Sequence, residues 1–223
     1  MYRVPNAASQ SSALHQADMF FCWRGELCEP FCTKTEIRPY QPAMSKPCIF
    51  FDRDGVVNQA PVTRYVETPE AFHILPGFVE SLRMARRLGY EAVIVTNQKG
   101  VASGKPPVEV LELIHGNLVD HVKGEGLTLT GIYVCSATTD DHPNRKPNPG
   151  MLLDAARDHD LSLPDSWMIG DNAKDIVAGR LAGCQTIMVG DRACEPPPDY
   201  RVASMDELPG LFETILRDVR EGS

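Results

Sequence analysis

The chain has 223 residues, 43% of them hydrophobic and 23% charged, with a formal net charge of −8. That length supports one sizeable domain, or one domain with an appendage. The acidic balance argues against a general nucleic-acid binder or a protein that adheres to anionic membranes, and leaves room for a local basic pocket for one small anion.

Residues 1 to about 45 keep no helical or strand period. "PNAASQSSALHQ" is small and polar, "MFFCWRGELCEPFC" is a short apolar patch, and "RPYQPAMSKP" is broken by proline. This stretch is expected to be a poorly ordered extension. Its Cys22, Cys28 and Cys32 lack the paired C-x-x-C spacing of a zinc site. No basic region there leads into an apolar core, and no apolar run approaches the ~20 residues that cross a bilayer. A cytoplasmic protein is therefore the expectation, and Met44, just ahead of the ordered pattern, is a candidate start of translation.

From residue 46 to 223 the chain alternates strand and helix. Cys48–Phe51 reads as a short buried strand. A helix follows over 77–88, with Phe78, Leu82, Ala85 and Leu88 on one face, Pro76 as opener and Gly89 as stop. "YEAVIVTNQ" is a second strand. Val108–Lys123 is an amphipathic helix with Val110, Leu111, Ile114, Leu118 and Val122 inward, leaving His115 and His121 as helix-surface residues. "GIYVCS", "SWMIGD" and "CQTIMVG" complete the strands, separated by helices over 149–159 and 173–182 and followed by a last helix over 205–219. Such alternation predicts an α/β protein with a doubly wound parallel sheet. Cys48, Cys135 and Cys184 lie in or beside strands as small hydrophobes.

Several strands end in polar residues: Asp52 and Asp54, then Thr96 and Asn97, then Asp171 after Gly170. In open α/β sheets, ligands bind outside the carboxyl ends of the strands. One such cluster need only mark where a strand becomes a loop, but three, with acids in two of them, point to a shared crevice. In "IFFDRDGVVN", Asp52 and Asp54 would project to one side of an extended chain. Carboxylates at ~4 Å repel by about 4 kcal/mol at an effective dielectric near 20. Solvent or a cation between them must relieve that repulsion.

Phosphoryl transfer suits these groups. Asp52, Asp54 and Asp171 are hard oxygen donors of the kind magnesium takes. One carboxylate can attack phosphorus, and a second can move the leaving group's proton. Thr96, Lys146 and the main-chain amides of Arg53 and Asn97 can share the charge on the phosphoryl oxygens. Lys146, in the proline-rich "NRKPNPGML", precedes a helix N-terminus. Asp175 suits the first helical turn, where the dipole favours an acid, and could equally hold Lys146 or a metal-bound water. "GVASGK" has three residues between its glycines and proline after its lysine, so it is not a Walker A loop.

"FFDRDGVVN", "VIVTNQKGVASG", "NRKPNPGML" and "MIGDNAKDIVAG" resemble, in order, the four motifs of the haloacid-dehalogenase phosphatase superfamily. "DRDGVVN" with "RKP-PGML" resembles its heptose-bisphosphate and histidinol-phosphatase branch. The resemblance implies a Rossmann-like fold and Asp52 as nucleophile. It also implies Asp54 as acid/base and as a magnesium ligand through its carbonyl. Thr96 and Asn97 match the phosphate-binding motif, Lys146 the third-motif lysine with Arg145 as a substrate-contacting neighbour, Asp171 the last magnesium ligand, and Asp175 the later acidic position. Two departures stand out. The zinc loop of that branch is reduced here to Cys135 and His142, so no structural zinc is expected. Asn172, a candidate substrate contact, stands where heptose-bisphosphate enzymes tend to have lysine.

Too little chain separates the motifs for a large cap domain, which leaves an open pocket shaped by loops around 61–69, 101–107 and 138–144. The expected activity is a magnesium-dependent phosphomonoesterase working through an aspartyl-phosphate on a small metabolite, first a sugar phosphate such as heptose bisphosphate. Histidinol phosphate is the alternative, with a nucleic-acid 3′-phosphatase or a non-catalytic phosphate-binding protein behind it. No nucleic-acid or membrane partner is expected.

Overall fold

The computed structural model describes residues 2–4, 45–63 and 65–216. Among the described residues, seven strands form one sheet: β1 (Tyr2–Val4), β2 (Lys46–Phe51), β3 (Glu91–Asn97), β4 (Gly131–Cys135), β5 (Leu161–Gly170), β6 (Gln185–Val189) and β7 (Tyr200–Val202). The helices are α1 (Pro76–Arg87), α2 (Val108–Gly124), α3 (Gly150–His159), α4 (Ala173–Ala182) and α5 (Leu208–Ile215). The sheet order is β1-β4-β3-β2-β5-β6-β7. All pairings are parallel except the antiparallel β1–β4 edge.

Period-two alternation along β2 divides the core. Ile49 and Phe51 join one cluster with Phe78, Leu82, Leu111 and Phe212, while Cys48 and Phe50 join another with Met151, Leu152, Met168 and Ala178. Residues of α1, α2 and α5 thus cover one face, and those of α3 and α4 the other. The ring of Phe51 meets that of Phe78 edge-on at 5.3 Å, and both are fully buried. Full burial on both faces is why these strands read as continuous apolar runs.

Three boundaries differ from expectation. β5 begins at Leu161 rather than Ser166, because Lys46 and Pro47 pair with Leu161 and Ser162 before a register shift realigns Ile49 with Trp167. β7 is a three-residue edge strand whose sequence is too short to carry a period. The last helix begins as a 3-10 turn over Met205–Glu207, and Pro209 then lies in the first turn of α5; the expected stretch beyond residue 216 lies outside the described residues. Of the expected poorly ordered extension, Tyr2–Val4 instead pairs with Val134, Tyr133 and Ile132 of β4, supplying partners to an otherwise open sheet edge. Residues 5–44, with Cys22, Cys28 and Cys32, lie outside the described residues.

Between β2 and β3 there is one 3-10 turn and α1, and between β3 and β4 another 3-10 turn and α2. The described residues therefore contain no inserted cap. Among them, no helix is long and apolar enough to cross a membrane.

Candidate active site

β2 lies between β3 and β5, which run away from it in opposite directions of the chain order. That makes its carboxyl end the topological switch point, where a crevice must open. Asp52 is the first residue beyond β2, and its N–H donates to Ile169 O at 2.9 Å. The chain then turns sharply, with the N–H groups of Val57 and Asn58 donating to Arg53 O at 2.8 and 3.0 Å. Gly55 occupies the turn at φ +90°, and a Cβ there would lie 2.6 Å from Asp171 Oδ2. Glycine is thus required both by backbone conformation and by the approach of Asp171.

The two carboxylates that opened the electrostatic problem do not share a cation. Lys146 Nζ donates to Asp52 Oδ1 at 2.6 Å and to Val95 O at 2.7 Å. Arg53 meets Asp54 instead, through Nε–Oδ1 at 3.2 Å and through Nη2 to Oδ1 and Oδ2 at 3.1 and 3.0 Å. Asn58 Nδ2 and Gln98 Nε2 add donors to Asp54 at 3.0 and 3.1 Å. Each acid has its own protein cation because the turn after Phe51 ends the strand geometry that would have aligned them.

Lys146 is buried beneath the crevice rather than lining it. Its ammonium also stands 2.8 Å from Asp175 Oδ1, so one buried cation balances two carboxylates. Burial alone would lower the lysine's proton affinity, but Asp175 and Asp52 outweigh it and hold the ammonium above the usual lysine range. Burial, together with the charge of Asp52, pushes the Asp175 carboxyl up to about 6. The backbone of Lys146 is clamped by Asn97, which accepts from Lys146 N at 3.1 Å and donates to Lys146 O at 2.9 Å. The amide of Asn97 is therefore occupied in holding the lysine segment. Asn172 caps α4, accepting from Lys174 N at 3.3 Å, while its N–H donates to Asp175 Oδ2 at 3.1 Å. This reciprocal capping box gives Asp175 a second task beside Lys146.

Asp52, Asp171 and Asp175 bring carboxylate oxygens within 4.8 Å of one another. Asp171 is raised above the usual carboxylate range, by burial first and then by Asp52. Such a cluster of hard donors suits a divalent cation of the magnesium type. With Asp175 committed to Lys146 and the helix cap, Asp52 and Asp171 are the carboxylates left to meet it. Arg192 occupies the outer side, 3.2 Å from Asp171 Oδ2.

Asp52, Asp54, Thr96, Asn97, Arg145, Asp171 and Asn172 all line one cavity of about 350 Å³. Arg53, Lys146 and Asp175 lie behind it. The loop residues Pro61, Thr63 and Tyr65 form part of the wall, and Lys99, Lys174 and Arg192 add cations that the sequence reading passed over. A larger cavity of about 570 Å³, between Pro76 and His121, contains none of the predicted residues.

Two further residues escaped the sequence reading. Gln98 is 3% exposed and bridges Asp54 to Thr96, whose Oγ1 it meets at 2.9 Å; its place beside "TN" was the available signal. His115 is no surface residue but fully buried, with Nε2 3.3 Å from Arg53 Nη1. Its spacing from Leu111 and Leu118 already placed it on the inward face of α2. His121 is exposed, as expected.

The HAD-hydrolase-like family model matches residues 143–205. The chain is 34% identical over 179 residues to the D-glycero-D-manno-heptose-1,7-bisphosphate 7-phosphatase of Thermosynechococcus vestitus, covering 70% of this chain and 90% of that protein. It is 37% identical over 166 residues to the D-glycero-alpha-D-manno-heptose-1,7-bisphosphate 7-phosphatase of Burkholderia mallei, covering 67% and 82%. The crystal structure of D,D-heptose 1,7-bisphosphate phosphatase from B. bronchiseptica, complexed with magnesium and phosphate, superposes with a TM-score of 0.67 at 28% identity, covering 75% of this chain and 98% of that one. With its switch-point acids, buried lysine and these relatives, the chain belongs to the haloacid-dehalogenase-like hydrolases and is a phosphatase of that superfamily.

Proposed function

We propose that the chain hydrolyses a sugar phosphate, first a heptose bisphosphate, through an aspartyl-phosphate on Asp52 with a magnesium ion bound. The observation that carries this reading is the setting of Asp52, flanked by Lys146 beneath and Asp171 beside it at the floor of a cavity whose opening is ringed by cations. Lys146 holds one oxygen of Asp52, leaving the other to attack phosphorus. Asp54, at the cavity wall, gives a proton to the departing alkoxide and then takes one from water. Thr96 and the main-chain amides of Arg53 and Asn97 receive the phosphoryl oxygens. Asp52, Asp171 and the main-chain carbonyl of Asp54 would hold magnesium, which when bound offsets the negative charge gathered on acids and phosphate.

The relatives' printed substrate supports a bisphosphate, and the cavity supports it too. Asn172 brings no charge, but Lys99, Arg145, Lys174 and Arg192 ring the opening, enough cations for a second phosphate away from Asp52. No structural zinc is proposed. Cys135 Sγ and His142 Nδ1 are 3.8 Å apart, but Nδ1 already accepts from Asn144 N at 3.1 Å. The loop is held instead by Arg145–Asp140 at 2.7 Å and by Asn148 Nδ2 donating to Asp140 O and His142 O.

The test is phosphate release from heptose 1,7-bisphosphate, sugar monophosphates, histidinol phosphate and nucleotides, with and without chelator. Turnover should favour the heptose bisphosphate, stop with chelator and return with magnesium. Preference for a nucleotide, or restoration by zinc alone, would overturn the proposal.

A further inference from the structure

We propose that Arg53 and His115 act as positioning residues for proton transfer, a buried relay that fixes the carboxylate of Asp54 against the cavity wall. This rests on the reading of Asp54 as the residue that protonates the leaving group. Arg53 lies behind Asp54: its side chain is 1% exposed, against 28% for the carboxylate it grips. The guanidinium uses Nε and Nη2 on Asp54 and turns Nη1 toward His115 Nε2. Phe72 closes another side, its ring centroid 5.7 Å from the guanidinium carbon.

The tautomer of His115 follows from its partner. Arginine only donates, so Nε2 must accept and the ring proton resides on Nδ1. That Nδ1 is buried and has no hydrogen-bond partner. The fold thus tolerates an unpaired buried N–H in order to present an acceptor to Arg53. Burial and the charge of Arg53 lower the imidazole to about 3, so it is neutral at pH 7. A half-buried ion pair is weak evidence for stability, since desolvating its buried partner offsets much of the attraction. What the arrangement achieves is orientation. Asn58 and Gln98 each donate to one oxygen of Asp54, whereas Arg53 reaches both, so slack in the guanidinium loosens the grip that orients the whole carboxylate. His115, delivered from α2, removes that slack from a separate element.

A group that only supports the fold would slow all substrates alike. A group acting through Asp54 would slow those whose leaving group needs a proton. The experiment compares kcat/KM for an alkyl sugar phosphate and for p-nitrophenyl phosphate, whose phenolate leaves without protonation. His115→Leu, which keeps bulk but removes the acceptor, should lose about tenfold on the sugar phosphate and less than about twofold on the aryl ester. His115→Gln, which restores an acceptor oxygen, should recover most of the loss. Asp54→Asn should show the same leaving-group pattern with a larger loss. Equal loss on both substrates in His115→Leu, or no loss on either, overturns the relay while leaving the Asp54 reading intact. Undiminished sugar-phosphate turnover in Asp54→Asn overturns the reading beneath it. Should His115→Leu fail to fold, Arg53→Lys carries the same comparison, because lysine keeps the charge but cannot span both Asp54 and His115.

Discussion

Arg145 and Lys146 are adjacent in the chain, yet they serve the crevice in opposite ways. The side chain of Lys146 is wholly buried between Asp52 and Asp175, which are 6% and 0% exposed. Arg145 stands at the rim, paired with an Asp140 that is 81% exposed. The same contrast separates Arg53, sealed behind Asp54, from Lys99, Lys174 and Arg192 around the opening. Buried pairs are costly to desolvate and cannot be broken singly without leaving a stranded charge. Rim pairs are screened by salt and exchange partners readily. The floor is therefore suited to fixing chemistry, and the rim to choosing among substrates.

The strongest way to break that division is at the floor. Asp52→Asn should reduce phosphate release by on the order of 10⁴-fold while leaving the fold intact, measured by phosphate assay beside circular dichroism. Residual turnover within tenfold of the native chain would remove Asp52 from the chemistry. Lys146→Met should strand Asp52 and Asp175 together and cost about 3–5 kcal/mol of stability, visible as a shifted denaturant midpoint. An unchanged midpoint would mean that water, not Lys146, balances those acids.

A subtler check uses pH. His115 stays neutral in the folded chain down to about 3, whereas the unfolded chain protonates it below its ordinary 6.5. The unfolded state then binds the extra proton, so stability is fully present above about pH 6.5 and declines as pH falls toward 3, by at most about 1.4 kcal/mol per unit. His115→Gln should show a shallower acid decline than the native chain in denaturant titrations at stepped pH. Parallel curves would contradict a buried neutral imidazole.

The smallest effects belong to the rim. Arg192→Ala and Lys174→Ala should each raise KM for a bisphosphate about threefold to tenfold, with little change in kcat. The increase should shrink at high salt, where charges beyond a few ångströms are screened. A loss confined to kcat would move these residues from substrate choice into the chemistry.

Much of the site was legible without coordinates because its parts recur at strand ends. Asp52, Thr96 and Asp171 each follow a run of apolar residues that can only be a buried strand, and parallel strands must present their carboxyl ends together. What spacing could not show was direction. Asn97 and Asn172 looked like ligands and prove to have their side-chain amides engaged with the Lys146 backbone and the α4 cap. His115 looked superficial because a histidine is usually polar surface, and its partner Arg53 lies 62 residues away.

By itself, the sequence determined the alternation of strands and helices, the acids at the switch point and the lysine ahead of α3, since each depends on local periodicity or on chemistry carried by a short motif. Only the tertiary structure decided which cation serves which acid. Pairing across the sheet and from α2 is set by packing, and a charge buried by packing takes whatever partner the fold delivers within about 3 Å.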